Sequence, residues 1–139
     1  MFTEGRSMLQ KEKNAVRPTA PHLDIYRWPI TMLISILHRI TGGALYFGTF
    51  FLAIWLASLA YSPECFAFLQ MLYTSLIGKI IAFFYCLALM QHLASGLRHI
   101  ICEHYTHLLG KEVSDKIAYM TFAFSIGATI IIWLIGYFY

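Results

Sequence analysis

The stretch Ser35 to Gly43, SILHRITGG, sets a histidine beside an arginine inside a run that is otherwise apolar. Ser35, His38, Arg39, Gly42 and Tyr46 recur at i, i+3, i+4, i+7 and i+11. On a helix these residues share one face about 100° wide. A second apolar run, ALMQHLASGLRHIICEH, repeats the arrangement with Ala88, His92, Ser95, Gly96 and His99 at i, i+4, i+7, i+8 and i+11. Arginine at the centre of a membrane helix costs about 2.5–3.5 kcal/mol on insertion scales, so such residues face a partner, a cofactor or a wet cavity rather than lipid. A neutral imidazole nitrogen is the usual axial ligand of haem iron, and Gly96, one turn beyond His92, leaves space for a flat macrocycle. A guanidinium such as that of Arg39 suits carboxylates. Plainer readings stand beside these. A small-residue stripe such as Ala88/His92/Ser95/Gly96 also marks close helix packing. His92 also suits an interhelical hydrogen bond, and Arg39 suits snorkelling to the interface. Arg98 and His99 read as the basic end of a helix, and His104 and His107 as loop residues.

The elements that must hold these stripes follow from composition. Of 139 residues, 59% are hydrophobic and only 12% charged, and the mean hydropathy is +0.64. That balance excludes an ordinary soluble domain and indicates a membrane class. Three segments are long enough to span the roughly 20-residue hydrocarbon core: about 30–61, 80–97 and 117–138. Backbone groups in lipid must pair within the segment, so an all-α membrane protein with three transmembrane helices is expected, organised as a single anchor domain over 1–139. The polar lead-in, 1–29, lacks the apolar core of a signal peptide and reads as retained. Its RPTAPHLDIY should be extended, because proline disfavours helix at the residue before it.

Arg6, Lys11, Lys13, Arg17 and Arg27 precede the first span, Lys79 follows it, and Arg98, Lys111 and Lys116 lie around the second connection. The positive-inside rule then puts the N-terminus on the cytoplasmic or matrix side. It also accounts for the net charge of +3 without a nucleic-acid partner. The two polar stripes fall at similar depth in that half of the membrane, because the first two spans run in opposite directions. Tyr26, Trp28, Trp133, Tyr137 and Tyr139 are candidate interfacial anchors. Cys65, Cys86 and Cys102 are scattered and suggest neither a disulfide frame nor a metal cluster.

Two motifs carry a family resemblance. RPTAPHLDIYRWPITMLISILHRITG resembles the amino-terminal signature of the cytochrome b (large membrane-anchor) subunits of succinate dehydrogenase, complex II, and HLASGLRH resembles their second signature, His-x-x-x-Gly-x-Arg-His. Ala20 and Glu103 depart from the family's usual Ser and Asp. The resemblance implies a chain within a heteromeric helix bundle, paired with a second small anchor subunit and sharing one haem b with it. It further implies His92 as this chain's axial ligand to the haem iron, His38 and Arg39 near the haem propionates, and Ser35 and Arg39 lining the ubiquinone site. Succinate oxidation then belongs to a flavoprotein subunit, with electrons passing through an iron–sulfur subunit to ubiquinone at an inner membrane. A second ligand from the partner accords with the expectation that no other histidine faces His92 from another span. The alternatives are a purely structural anchor without haem and an anchor of the fumarate reductase type.

Overall fold

The protein, described as a computed structural model over residues 27–106 and 110–138, contains four helices and no strand among those residues. They are α1 (Ile30–Tyr61), α2 (Pro63–Thr74), α3 (Leu76–His104) and α4 (Lys111–Phe138). Helices α1, α3 and α4 are each long and apolar enough to cross a membrane. The expected extended lead-in, Tyr26, Tyr139 and His107 lie outside the described residues. Both α3 and α4 extend beyond the apolar windows at 80–97 and 117–138, because polar ends continue a helix after its hydropathy has fallen.

The connection between the first two spans is a helix of its own. Pro63 holds Ser62 in an extended conformation, φ −160° and ψ 148°, which stops α1. The Ser62 hydroxyl then accepts from Cys65 N at 3.1 Å, while Pro63 and Glu64 fill the first turn of α2. This serine–proline–acid start is a legible helix signal that span counting passes over. Ser75 repeats the device, accepting from Gly78 N at 3.1 Å to open α3. Helix α2 lies against the end of α1 through Trp55 Nε1 donating to Gln70 Oε1 at 3.1 Å and Tyr73 OH donating to the Phe51 carbonyl at 3.0 Å.

The polarity of the packing is that of a membrane protein. Large side chains such as Ile40, Phe47, Phe50, Leu93 and Ile131 face outward. The buried seam is small and hydroxylated: Thr41, Ser58, Ser95, Ser114, Thr121, Ser125 and Thr129, joined by Ile34, Cys102, Ala118 and Gln91. On α4, Ser114, Ala118, Thr121, Ser125 and Thr129 form a stripe at intervals of three or four residues. Without a hydrophobic drive between helices in lipid, small residues allow the close approach that packing requires. Their hydroxyls bond back to the carbonyl one turn earlier, as in Thr121 to Ile117 O at 2.8 Å and Thr129 to Ser125 O at 2.7 Å. Helix α3 packs most extensively, against both α1 and α4, which also touch each other.

At the junction of α2 and α3, a Cβ on Gly78 would overlap the backbone of Leu72 and Tyr73, which cannot swing aside. Gly43 has open space around it. We expect Gly78→Ala to destabilise the protein by about 1–3 kcal/mol through overpacking. Gly43→Ala should be neutral or slightly stabilising. Thermal unfolding of both variants in one detergent checks this, and equal midpoints would contradict the packing.

Candidate functional site

The polar stripes meet where α1 crosses α3. His38 and His92 stack with ring centroids 3.9 Å apart and planes 9° from parallel. Two glycines make the room. A Cβ on Gly42 would come within 3.1 Å of His92 Cε1, and one on Gly96 within 3.4 Å of His38 Cε1. Each helix thus lacks a side chain where the other's imidazole lies.

The hydrogen bonds assign the ring protons. Ser95 Oγ donates to the Gln91 carbonyl at 2.6 Å, so its oxygen accepts from His38 Nδ1–H at 2.7 Å. Thr41 Oγ1 donates to the Leu37 carbonyl at 2.8 Å. Its oxygen, 3.2 Å away, and the His38 carbonyl, 3.1 Å away, then share the His92 Nδ1 proton. A neutral imidazole protonated at Nδ1 carries its lone pair on Nε2. Among the described residues neither Nε2 makes a hydrogen bond. A backbone carbonyl fixing Nδ1–H is the support that orients a metal-binding imidazole and raises its basicity.

Part of the first stripe lies elsewhere. Ser35, Arg39 and Tyr46 are exposed on this chain, and Arg39 has no partner among the described residues. The face predicted to avoid lipid is therefore not covered by the described residues. On α3, His92, Ser95 and Gly96 join the crossing, Ala88 is half-buried and His99 is exposed.

Three expectations are corrected. A second histidine does face His92 from another span, because Gly96 admits the His38 ring. The gap beside Gly96 is therefore taken by His38, while His92 lies against Gly42. Stacked in van der Waals contact, the two rings leave no space for a macrocycle between them, so they cannot flank one metal from opposite faces. Arg98 is not at the helix end but six residues before His104, and its Nη2 donates to Ser114 Oγ at 2.8 Å, tying α3 to α4. Sequence reasoning passed over Thr41 as a site residue. Its place three residues after His38, on the same face, is the signal that could have found it.

A three-span helical chain with a glycine-flanked imidazole pair in its interior is an integral, multi-pass membrane protein built around polar chemistry. Residues 13–132 match the family described as succinate dehydrogenase/fumarate reductase transmembrane subunit. Among its relatives, the succinate dehydrogenase cytochrome b556 subunit of Paracoccus denitrificans is 42% identical over 87 residues, covering 63% of this chain and 67% of that one. The succinate dehydrogenase cytochrome b560 subunit of Reclinomonas americana is 34% identical over 131 residues, or 88% of each chain. The mitochondrial cytochrome b560 subunit of Dictyostelium discoideum is 33% identical over 105 residues, 73% of this chain and 53% of its own. This chain belongs to that family of succinate dehydrogenase transmembrane subunits, the membrane anchors of complex II.

If His38 and Ser95 are bonded as described, the His38→Ala and Ser95→Ala effects on stability are non-additive. A double-mutant cycle should give a coupling of about 0.6 kcal/mol, with about 1.7 as the upper range for hydrogen bonds between membrane helices. Strict additivity would contradict the bond.

Proposed function

We propose that the chain is the haem b- and ubiquinone-binding anchor of succinate:quinone oxidoreductase, set in the inner membrane with its N-terminus on the cytoplasmic or matrix side. The observation that carries this reading is His92. Its Nδ1–H is committed to the His38 carbonyl and the Thr41 hydroxyl, which leaves Nε2 with its lone pair and without a partner among the described residues. The residues present fit a haem: a pre-oriented neutral imidazole on His92, and, one residue from His38, the exposed guanidinium of Arg39, which has no partner among the described residues. When bound, haem supplies one-electron redox chemistry. His92 would be its axial ligand from this chain, with His38 and Arg39 toward its propionates. The second ligand would come from a partner anchor subunit.

Ser35 and Arg39 stand one turn apart on the exposed face of α1 and suit a quinone. A quinone under reduction gathers negative charge on its oxygens. The Arg39 guanidinium stabilises that charge, and the Ser35 hydroxyl donates a hydrogen bond or relays a proton. Succinate oxidation lies on the flavoprotein subunit, and an iron–sulfur subunit delivers the electrons from the side where the basic N-terminal segment lies.

Replacing His92 by Ala in the assembled complex should abolish its bis-histidine haem spectrum, and an unchanged spectrum would remove the ligand assignment. Arg39→Ala should lower succinate-to-quinone turnover by about two orders of magnitude. Succinate-to-dye activity should be largely kept, because that reaction bypasses the quinone face. Normal quinone kinetics would remove Arg39 from the site.

A further inference from the structure

Thr41 on α1 is bonded differently from the threonines of α4. Thr121 and Thr129 each donate to the carbonyl one turn earlier, and their hydroxyls make no further hydrogen bond among the described residues. Thr41 also donates one turn back, to the Leu37 carbonyl at 2.8 Å, with the His38 carbonyl as a second acceptor at 3.0 Å. Its oxygen, however, stands 3.2 Å from His92 Nδ1 on the facing helix. Because the hydroxyl proton is spent on α1, that oxygen meets the ring as an acceptor. The residue is buried, 9% exposed, and borders a recess whose other walls include Leu37, Phe84, Phe122 and Ile126. In such apolar surroundings a hydrogen bond is electrostatically stronger than in water.

The His92 Nδ1 proton therefore has two acceptors of different kinds. The His38 carbonyl, 3.1 Å away, already serves the hydrogen-bond ladder of its own helix and is supplied by any residue at that position. The Thr41 oxygen depends on the side chain. The more an acceptor draws on Nδ1–H, the more electron density the ring presents at Nε2, and a more electron-rich ligand favours the higher charge on a bound iron. A threonine that only back-bonded along α1 or filled space would have no effect of this sort, and valine, of nearly the same shape, would replace it.

We propose that Thr41 is a positioning residue for His92: by accepting from Nδ1–H it fixes the imidazole and lowers the reduction potential of the haem held at Nε2. The proposal rests on His92 being the axial ligand, and it adds a residue that acts on the haem through that ligand alone.

The midpoint potential of the haem, read from its absorbance in the purified, assembled complex, tests this in two variants. Thr41→Val keeps the shape and removes the acceptor, whereas Thr41→Ser keeps the hydroxyl. We expect Thr41→Val to retain a bis-histidine spectrum and to move the equilibrium about tenfold toward the reduced form, the lower end of what losing such a supporting partner costs. For one electron that is a midpoint about 59 mV higher. Thr41→Ser should keep the wild-type midpoint. Haem loss from Thr41→Val, with Thr41→Ser normal, would support the same role through ligand orientation. Thr41→Ala removes the same acceptor and serves as the second variant, with the same expected direction, if the valine variant does not assemble. An unchanged or lowered midpoint without the acceptor, an equal shift in Thr41→Ser, or haem loss from the serine variant would overturn the proposal. A wild-type complex without haem, or an unchanged spectrum in His92→Ala, would instead remove the ligand assignment on which it stands.

Discussion

Every polar hydrogen inside this bundle needs an acceptor that the lipid cannot give, and the contact between His92 Nδ1–H and the His38 carbonyl meets that need across two helices. It ties side chain to backbone, so it fixes the depth of α3 relative to α1 as well as the orientation of the ring. The Thr41 hydroxyl and the Ser95–His38 bond complete the network. A methyl at Gly42 would press on the His92 ring and shift it by a few tenths of an ångström, whereas one at Gly96 would meet the edge of His38 at contact distance. The chemistry of His92 is in this sense a property of the crossing more than of the residue.

The remaining packing follows the same rule in a simpler form. Hydroxylated small residues on α4 satisfy themselves on their own helix and leave a smooth surface for α3. Between α3 and α4, Arg98 donates to Ser114 at the start of α4, and Ser125 Oγ also reaches the Met90 carbonyl at 3.4 Å. Large apolar side chains are displaced outward to lipid, which inverts the arrangement of a water-soluble core.

The spans and the two histidine stripes were legible because a mean hydropathy of +0.64 leaves few other folds, and because polar residues at helical spacing stand out in an apolar run. The meeting of the stripes at one depth followed from antiparallel spans. The identity of the contacts did not follow. Spacing places His38 and His92 on facing sides, but their stacking depends on the crossing point and on which glycine admits which ring. Helix α2 was missed because a search for membrane-length segments ignores a capped helix from Pro63 to Thr74. Arg98 was misread because its neighbours suggested a terminus, whereas α3 continues to His104. The α4 stripe carries serines and threonines whose helical period is plain once a neighbouring helix is known to lie there.

The difference between the hydroxyl seam and the imidazole crossing bears on how the chain enters a membrane. Thr121, Ser125 and Thr129 each bring an acceptor from their own helix. A helix of that kind can be released into lipid singly, with no naked polar group. The rings of α1 and α3 have no such provision, since each draws on the opposite strand of the hairpin. The stability of these two segments in lipid is thereby coupled, because each imidazole N–H finds its acceptor only once the other helix lies beside it.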